Sequence, residues 1–134
     1  MDTVQDLEAL LNMRVVAVVG CSPKPKRPSN RVAAYLADAG YRVIPVNPGH
    51  DEILGEKCYR DLRSIPDPVE VVCVFRRAEF AADIVRQAIG IGAKGVWMQD
   101  GIDSPEAAVL ARKNGLKVVM NDCIMRQHLS RFRR

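Results

Sequence analysis

Aromatic residues are scarce in this 134-residue chain, at 5% of positions. That removes the interleaved aromatic and basic surface on which nucleic-acid binders stack bases, so no nucleic-acid partner is expected. Cysteine is thinly spread: Cys21, Cys58, Cys73 and Cys123 make no CxxC pair, which excludes the spacing of a disulfide framework or a structural zinc site. No stretch approaches the roughly 20 apolar residues of a membrane helix. The opening MDTVQDLEALLNMR is acidic where a secretory leader would carry Lys or Arg. These absences predict a cytoplasmic protein with no membrane partner.

The length suits one domain over residues 1–134, and a composition of 48% hydrophobic and 27% charged residues is that of a globular chain. The formal net charge of +4 is mild. Arg126, Arg131, Arg133 and Arg134 crowd the C-terminal end and read as a solvated basic tail.

Apolar Val4, Leu7, Leu10 and Leu11 recur at helical spacing behind a cap at Asp2 or Thr3. RVVAVVG (14–20) then reads as a strand buried on both faces. Ser29 or Asn30 can cap a helix over RVAAYLADAG, which Gly40 ends, and YRVIPVNP is the next strand. After a polar excursion come the strand VEVVCVF, the helix EFAADIVRQAIGIG and the strand AKGVWM. A helix capped by Ser104 with Pro105 at its first position leads to the last strand, LKVVM. Such alternation predicts an α/β, Rossmann-like, doubly wound and mostly parallel sheet in a three-layer sandwich.

Folds of this kind bind ligands beyond the carboxyl ends of their strands. That directs attention to loops beginning at Gly20, Asn47, Phe75 and Gln99. The first, GCSPKPKRPSNR, leads into a helix N-terminus, where backbone N–H groups and the helix dipole favour an anion. Lys24, Lys26, Arg27 and Arg31 add positive charge. The turn lacks GxGxxG, and the second strand ends in Asn47 where a ribose-binding acid belongs, so a dinucleotide fits poorly. No Walker loop supports triphosphate hydrolysis. A basic, proline-stiffened loop suits a diphosphate with a further phosphate, as in coenzyme A.

The segment VVGCSPKPKRPSNRVAAYLADAGYRVIPVNPG resembles the opening of the standalone CoA-binding domain family, related to the CoA-binding domain of succinyl-CoA synthetase α subunits. VFRRAEFAADIV, GAKGVWMQDGI and GLKVVMNDCIMRQH extend the resemblance over nearly the whole chain. It implies that CoA lies across the strand ends. Gly20, Cys21, Ser22 and Pro23 would form the turn beside the diphosphate, Ser22 donating its hydroxyl proton. Lys26 and Arg27 would face phosphate oxygens, with Ser29 and Asn30 opening the helix beside them. Asn47 and Pro48 would border the adenosine, while Phe75, Arg76 and Arg77 would supply an apolar wall and two cations. Trp97, Met98, Gln99 and Gly101 would line the path of the pantetheine arm.

Plainer readings stand beside these. Ser29 and Asn30 are equally natural as caps; Trp97, Phe75 and Met98 as packing; Lys24 as solvated; Cys73 and Cys123 as structural thiols; His50 and His128 as locally hydrogen-bonded. Cys21 sits in the ligand turn, so a mixed disulfide with the CoA thiol is conceivable, although the diphosphate end is far from that thiol. Asp100, Asp103 and Asp122 show no paired spacing for acid–base work. The ligase's phosphohistidine domain has no counterpart here. The reading is therefore non-catalytic binding of CoA or an acyl-CoA, with a homo-oligomer or protein partner left open. Its alternatives are an NADP-linked oxidoreductase, in which Arg76 or Lys26 would hold the extra phosphate, and an interaction scaffold with a vestigial site.

Overall fold

Runs of β-branched residues build the sheet, and helices close both of its faces. In the computed structural model, which describes residues 3–133, helix α1 (Thr3–Leu11) precedes strand β1 (Val15–Val19), helix α2 (Pro28–Asp38) and strand β2 (Arg42–Val46). A small hairpin of β3 (Glu52–Ile53) and β4 (Glu56–Lys57) follows. Strand β5 (Val71–Val74), helix α3 (Ala81–Gly90), strand β6 (Gly95–Met98), helix α4 (Pro105–Lys113), strand β7 (Lys117–Val119) and helix α5 (Ile124–Phe132) complete the chain.

The large sheet is wholly parallel, in the order β2-β1-β5-β6-β7. Alternate side chains of each strand serve opposite core layers. Val16, Val18, Val71, Cys73 and Trp97 pack with α1, α2 and α5 through residues such as Leu10, Leu36 and Ile124. Ala17, Val19, Val72, Val74 and Met98 pack with α3 and α4 through Val85, Ala88 and Ala111. Thus the connection leaving β1 runs over one face and those leaving β5 and β6 over the other. The reversal falls between β1 and β5, the topological switch point at which such sheets open a crevice.

Pro45, which lacks an N–H, is tolerated in β2 because β2 is an edge strand. Tyr59, after the hairpin, partly covers that edge by donating its N–H to the Pro45 carbonyl at 3.1 Å and accepting the Asn47 N–H at 2.8 Å. At the other edge α1 lies against β6 and β7. Leu10 occupies the space that a Cβ on Gly95 would need, and the Asp6 carboxylate accepts the Val118 N–H at 3.2 Å.

Some local expectations are corrected. Helix α2 begins at Pro28, earlier than its apolar pattern suggests, because proline's fixed φ suits the first helical position. Its N-cap is Arg27, so Ser29 and Asn30 lie inside the helix and cap nothing. The Ser104 cap is present, its Oγ accepting the Ala107 N–H at 3.2 Å. For α1, the proposed cap Asp2 lies outside the described residues, and Thr3 is the first helical residue. The basic C-terminal end lies on α5, where Arg126 and Arg133 are exposed and all three described arginines are paired. Arg126 pairs with Asp100 and Asp122, Arg131 with Glu8, and Arg133 with Asp38; Arg134 lies outside the described residues.

Candidate functional site

Two hollows meet above the β1/β5 switch point. A recess of about 540 Å³ is walled by Gly20, Ser22, Pro23 and Lys24 of the turn after β1, by Arg27, Pro28 and Ser29, and by Asn47, His50 and Phe75. A cleft of about 690 Å³ continues from it, with Pro28 and Phe75 common to both. Its walls are Arg31 and Val32 of α2, Arg76 and Arg77 after β5, Gln99 to Ile102 after β6, and Cys123, Met125 and Arg126 at the start of α5. A smaller hollow of about 120 Å³ lies on the far flank of Gly20, bounded by Pro48, Arg76 and Phe80 among others.

The turn after β1 is braced from several sides. Gly20 adopts φ +87°, and a Cβ there would fall 2.6 Å from the Phe75 carbonyl oxygen. Both Gly20 and Cys21 donate their N–H to the Val46 carbonyl. The Ser22 N–H donates to Ser29 Oγ at 2.9 Å, Asn30 Nδ2 donates to the Ser22 carbonyl at 2.8 Å, and Asn47 Nδ2 donates to the Cys21 carbonyl at 2.8 Å. Ser29, Asn30 and Asn47 thus act on the backbone of the turn. Ser22 Oγ accepts the Lys24 N–H at 3.1 Å and keeps its own proton to donate.

Positive charge at the recess comes chiefly from side chains. Pro28 at the first helical position supplies no N–H, and the Asn30 N–H is already bonded to the Arg27 carbonyl. The helix dipole and the exposed Lys24 and Arg27 remain to attract an anion. Arg76 lies over the Phe80 ring at 4.4 Å, which holds its guanidinium between the cleft and the smaller hollow. Arg77 is exposed and paired with Glu79 at 3.4 Å.

The structure therefore gathers Gly20, Ser22, Pro23, Arg27, Ser29, Asn47 and Phe75 around the recess. It places Arg76, Arg77, Gln99 and Gly101 in the cleft and Pro48 beside the smaller hollow. Cys21, Lys26, Asn30, Trp97 and Met98 form no part of either main wall. Lys26 is exposed. Trp97 and Met98 are fully buried because β6 is covered on both faces, and the Trp97 indole donates to the Asp122 carbonyl at 3.0 Å. Cys21 is likewise fully buried, and burial, with Cys58 nearby, pushes its thiol up to about 11. Its sulfur does not present itself to a ligand.

Residues from the end of the chain complete the cleft. Buried Gln99 accepts the Ile124 N–H through Oε1 at 3.2 Å and so ties the first turn of α5 to the end of β6. Beside it, Arg126 makes two bonds to Asp100, at 2.8 and 2.9 Å, and one to Asp122 at 2.8 Å. The hydrogen bonds from Arg126 hold the Asp100 carboxyl below its usual range. Cys123, Met125 and Arg126 were not among the site residues expected from sequence. The usable signal was that LKVVM is itself a parallel strand, whose following loop must open at the same end of the sheet.

His128 lies on the far side of α5 and is buried, with Nδ1 2.6 Å from Tyr35 Oη. Burial and then Arg133 lower its pKa. Among the described residues no group of His, Cys, Asp and Glu could hold a metal ion, and no helix is long and apolar enough to cross a membrane.

The chain belongs to the CoA binding domain family, which matches residues 14–128. It is 38% identical over 121 residues to the uncharacterized protein YneT of Bacillus subtilis, with 90% of each chain covered. A hypothetical protein from Pyrococcus horikoshii OT3 has a solved structure that superposes with a TM-score of 0.91 at 42% identity, covering 97% of this chain and 92% of that one. The ADP-forming acetate–CoA ligase II of Archaeoglobus fulgidus is 27% identical over 128 residues, covering 87% of this chain but 19% of the ligase. The chain thus spans about a fifth of that enzyme.

Proposed function

We propose that this chain binds coenzyme A or an acyl-CoA and makes or breaks no covalent bond in doing so. The observation that carries the reading is the junction at Pro28 and Phe75, where a basic recess and a cleft that holds an apolar strip of Val32, Ile102 and Met125 between its charged side chains become one crevice at the switch point. CoA is divided in the same way, into an anionic nucleotide and a long neutral arm. Lys24 and Arg27 would neutralise phosphate oxygens, with Ser22 donating a hydrogen bond. The arm would pass Phe75 toward Val32, Ile102 and Met125, which exclude water from it.

Binding without catalysis is supported by the commitments of the titratable groups. Asp100 and Asp122 are held by Arg126, and His128 is buried against Tyr35 away from the crevice.

Isothermal titration calorimetry with CoA, dephospho-CoA, NAD and NADP tests it. Saturable one-to-one binding of CoA, weakened by loss of the 3′-phosphate, is expected. Tighter binding of NADP than of CoA would favour a nicotinamide enzyme instead. Absence of heat with all four would leave the scaffold reading.

A further inference from the structure

The cleft lies between two helices that a buried bond joins one turn further along. Helix α2 lends it Arg31 and Val32, and the start of α5 lends it Cys123, Met125 and Arg126. Tyr35 follows Val32 by three residues and His128 follows Met125 by three, so each stands one helical turn from the apolar strip. Tyr35 Oη and His128 Nδ1 lie 2.6 Å apart, and the rings of Tyr35, Tyr41 and Phe132 enclose the imidazole. A second link between the helices, from Arg133 to Asp38 at 3.3 Å, is open to water.

Resting on the CoA reading above, we propose that Tyr35 and His128 are positioning residues for the arm of the ligand: their bond sets the separation of Val32 from Met125, and protonation of His128 parts the two helices and weakens CoA binding. The neutral imidazole suits its surroundings, and the imidazolium does not. Facing the ring are Tyr35 of α2, Tyr41 ahead of β2 and Arg133 after α5, while Arg14 ahead of β1 lines the same small hollow. Tyr41 already donates its hydroxyl proton to the Leu11 carbonyl. The carboxylates of the neighbouring helices are engaged, Asp38 by Arg133 and Glu8 by Arg131. A charge on the ring therefore meets cations and no free carboxylate, and it reaches water only by carrying α5 away from α2. The recess is built on the turn after β1, which Ser29 and Asn47 brace without help from α5. The nucleotide end of the ligand is thus held independently of this movement.

The test is calorimetric titration with CoA and with adenosine 3′,5′-bisphosphate, which carries the nucleotide but no arm, from about pH 7.5 to about pH 5. His128→Asn keeps an acceptor near the place of Nδ1 and does not titrate, so it serves as the reference. On acidification the CoA dissociation constant is expected to rise roughly three- to tenfold more in the unsubstituted protein than in His128→Asn, while that of the bisphosphate changes alike in both. Tyr35→Phe at neutral pH should weaken CoA by about fivefold and the bisphosphate by less than about twofold. Equal losses for the two ligands, or an acid response of CoA binding that survives His128→Asn, would overturn the inference. So would CoA affinity in the unsubstituted protein that does not fall with acid, a result that needs no variant to fold. Failure of CoA or the bisphosphate to bind at neutral pH is a different result, and it would overturn the CoA reading itself.

Discussion

A side chain on Gly20 would collide with Phe75; the two residues directly follow the neighbouring strands β1 and β5 at the mouth of the crevice. The Phe75 carbonyl oxygen would stand 2.6 Å from a Cβ at Gly20, and φ there is +87°. The bare Cα thus lets the β1 turn sit against β5 while Phe75 serves both hollows. Gly20→Ala is expected to destabilise the fold by on the order of 3 kcal/mol, from left-handed strain and overpacking against rigid backbone. It should also weaken CoA binding. Urea unfolding and calorimetry would measure the two effects.

Arg27 is exposed at the N-cap of α2 and makes no side-chain cap bond, so its charge is available to a ligand. Arg27→Glu is expected to leave stability within about 0.5 kcal/mol. CoA affinity should drop by roughly tenfold or more at low salt and by less as salt rises. Unchanged affinity would remove Arg27 from the phosphate site.

Of the four cysteines, Cys123 alone is not buried, and it lies in the wall of the cleft. It is expected to react first with a maleimide, and saturating CoA should slow that reaction several-fold. Mass spectrometry of tryptic peptides would identify the labelled residue. Labelling unaffected by CoA would place the ligand's arm elsewhere.

The lowered pKa of His128 makes stability depend on pH. The unfolded chain takes up this proton near the ordinary value of about 6.5, whereas the folded protein does so only at lower pH. The stabilising contribution is therefore complete above that value and declines as pH falls through it, until the buried imidazole is protonated as well. His128→Gln should flatten this acid limb of the stability profile. Chemical denaturation across about pH 5 to 7 would show it.

The layers of the fold were legible because β-branched runs such as VVAVV and VVCV admit little else between two helical layers. The hairpin was not, since two-residue strands such as Glu52–Ile53 carry no periodicity. The recess was partly legible. The turn from Gly20 to Ser29 is contiguous in sequence, but whether Asn30 braces backbone or caps a helix depends on where α2 begins, which Pro28 decides. Trp97 and Met98 looked like lining residues because they end a strand; their burial follows from β6 having helices over both faces. The loop after β7 pointed to the region of Arg126 but not to its partners. The pairing of Arg126 with Asp100 spans 26 residues of sequence and exists only because α5 folds back over the end of β6.

The contact of Asp6 with Val118 bears on how the molecule behaves in a crowd. An outermost strand offers its unpaired amides to any passing chain, the route by which sheets grow into aggregates. Helix α1 closes that route by spending a carboxylate on the Val118 N–H and seating Leu10 over Gly95. The family match begins at residue 14, after this helix. The side chains that cover this edge and those that wall the crevice thus come from different parts of the chain. A version starting at Arg14 would keep the crevice residues yet expose β7, and it is expected to associate through that strand, visible as rising light scattering with concentration.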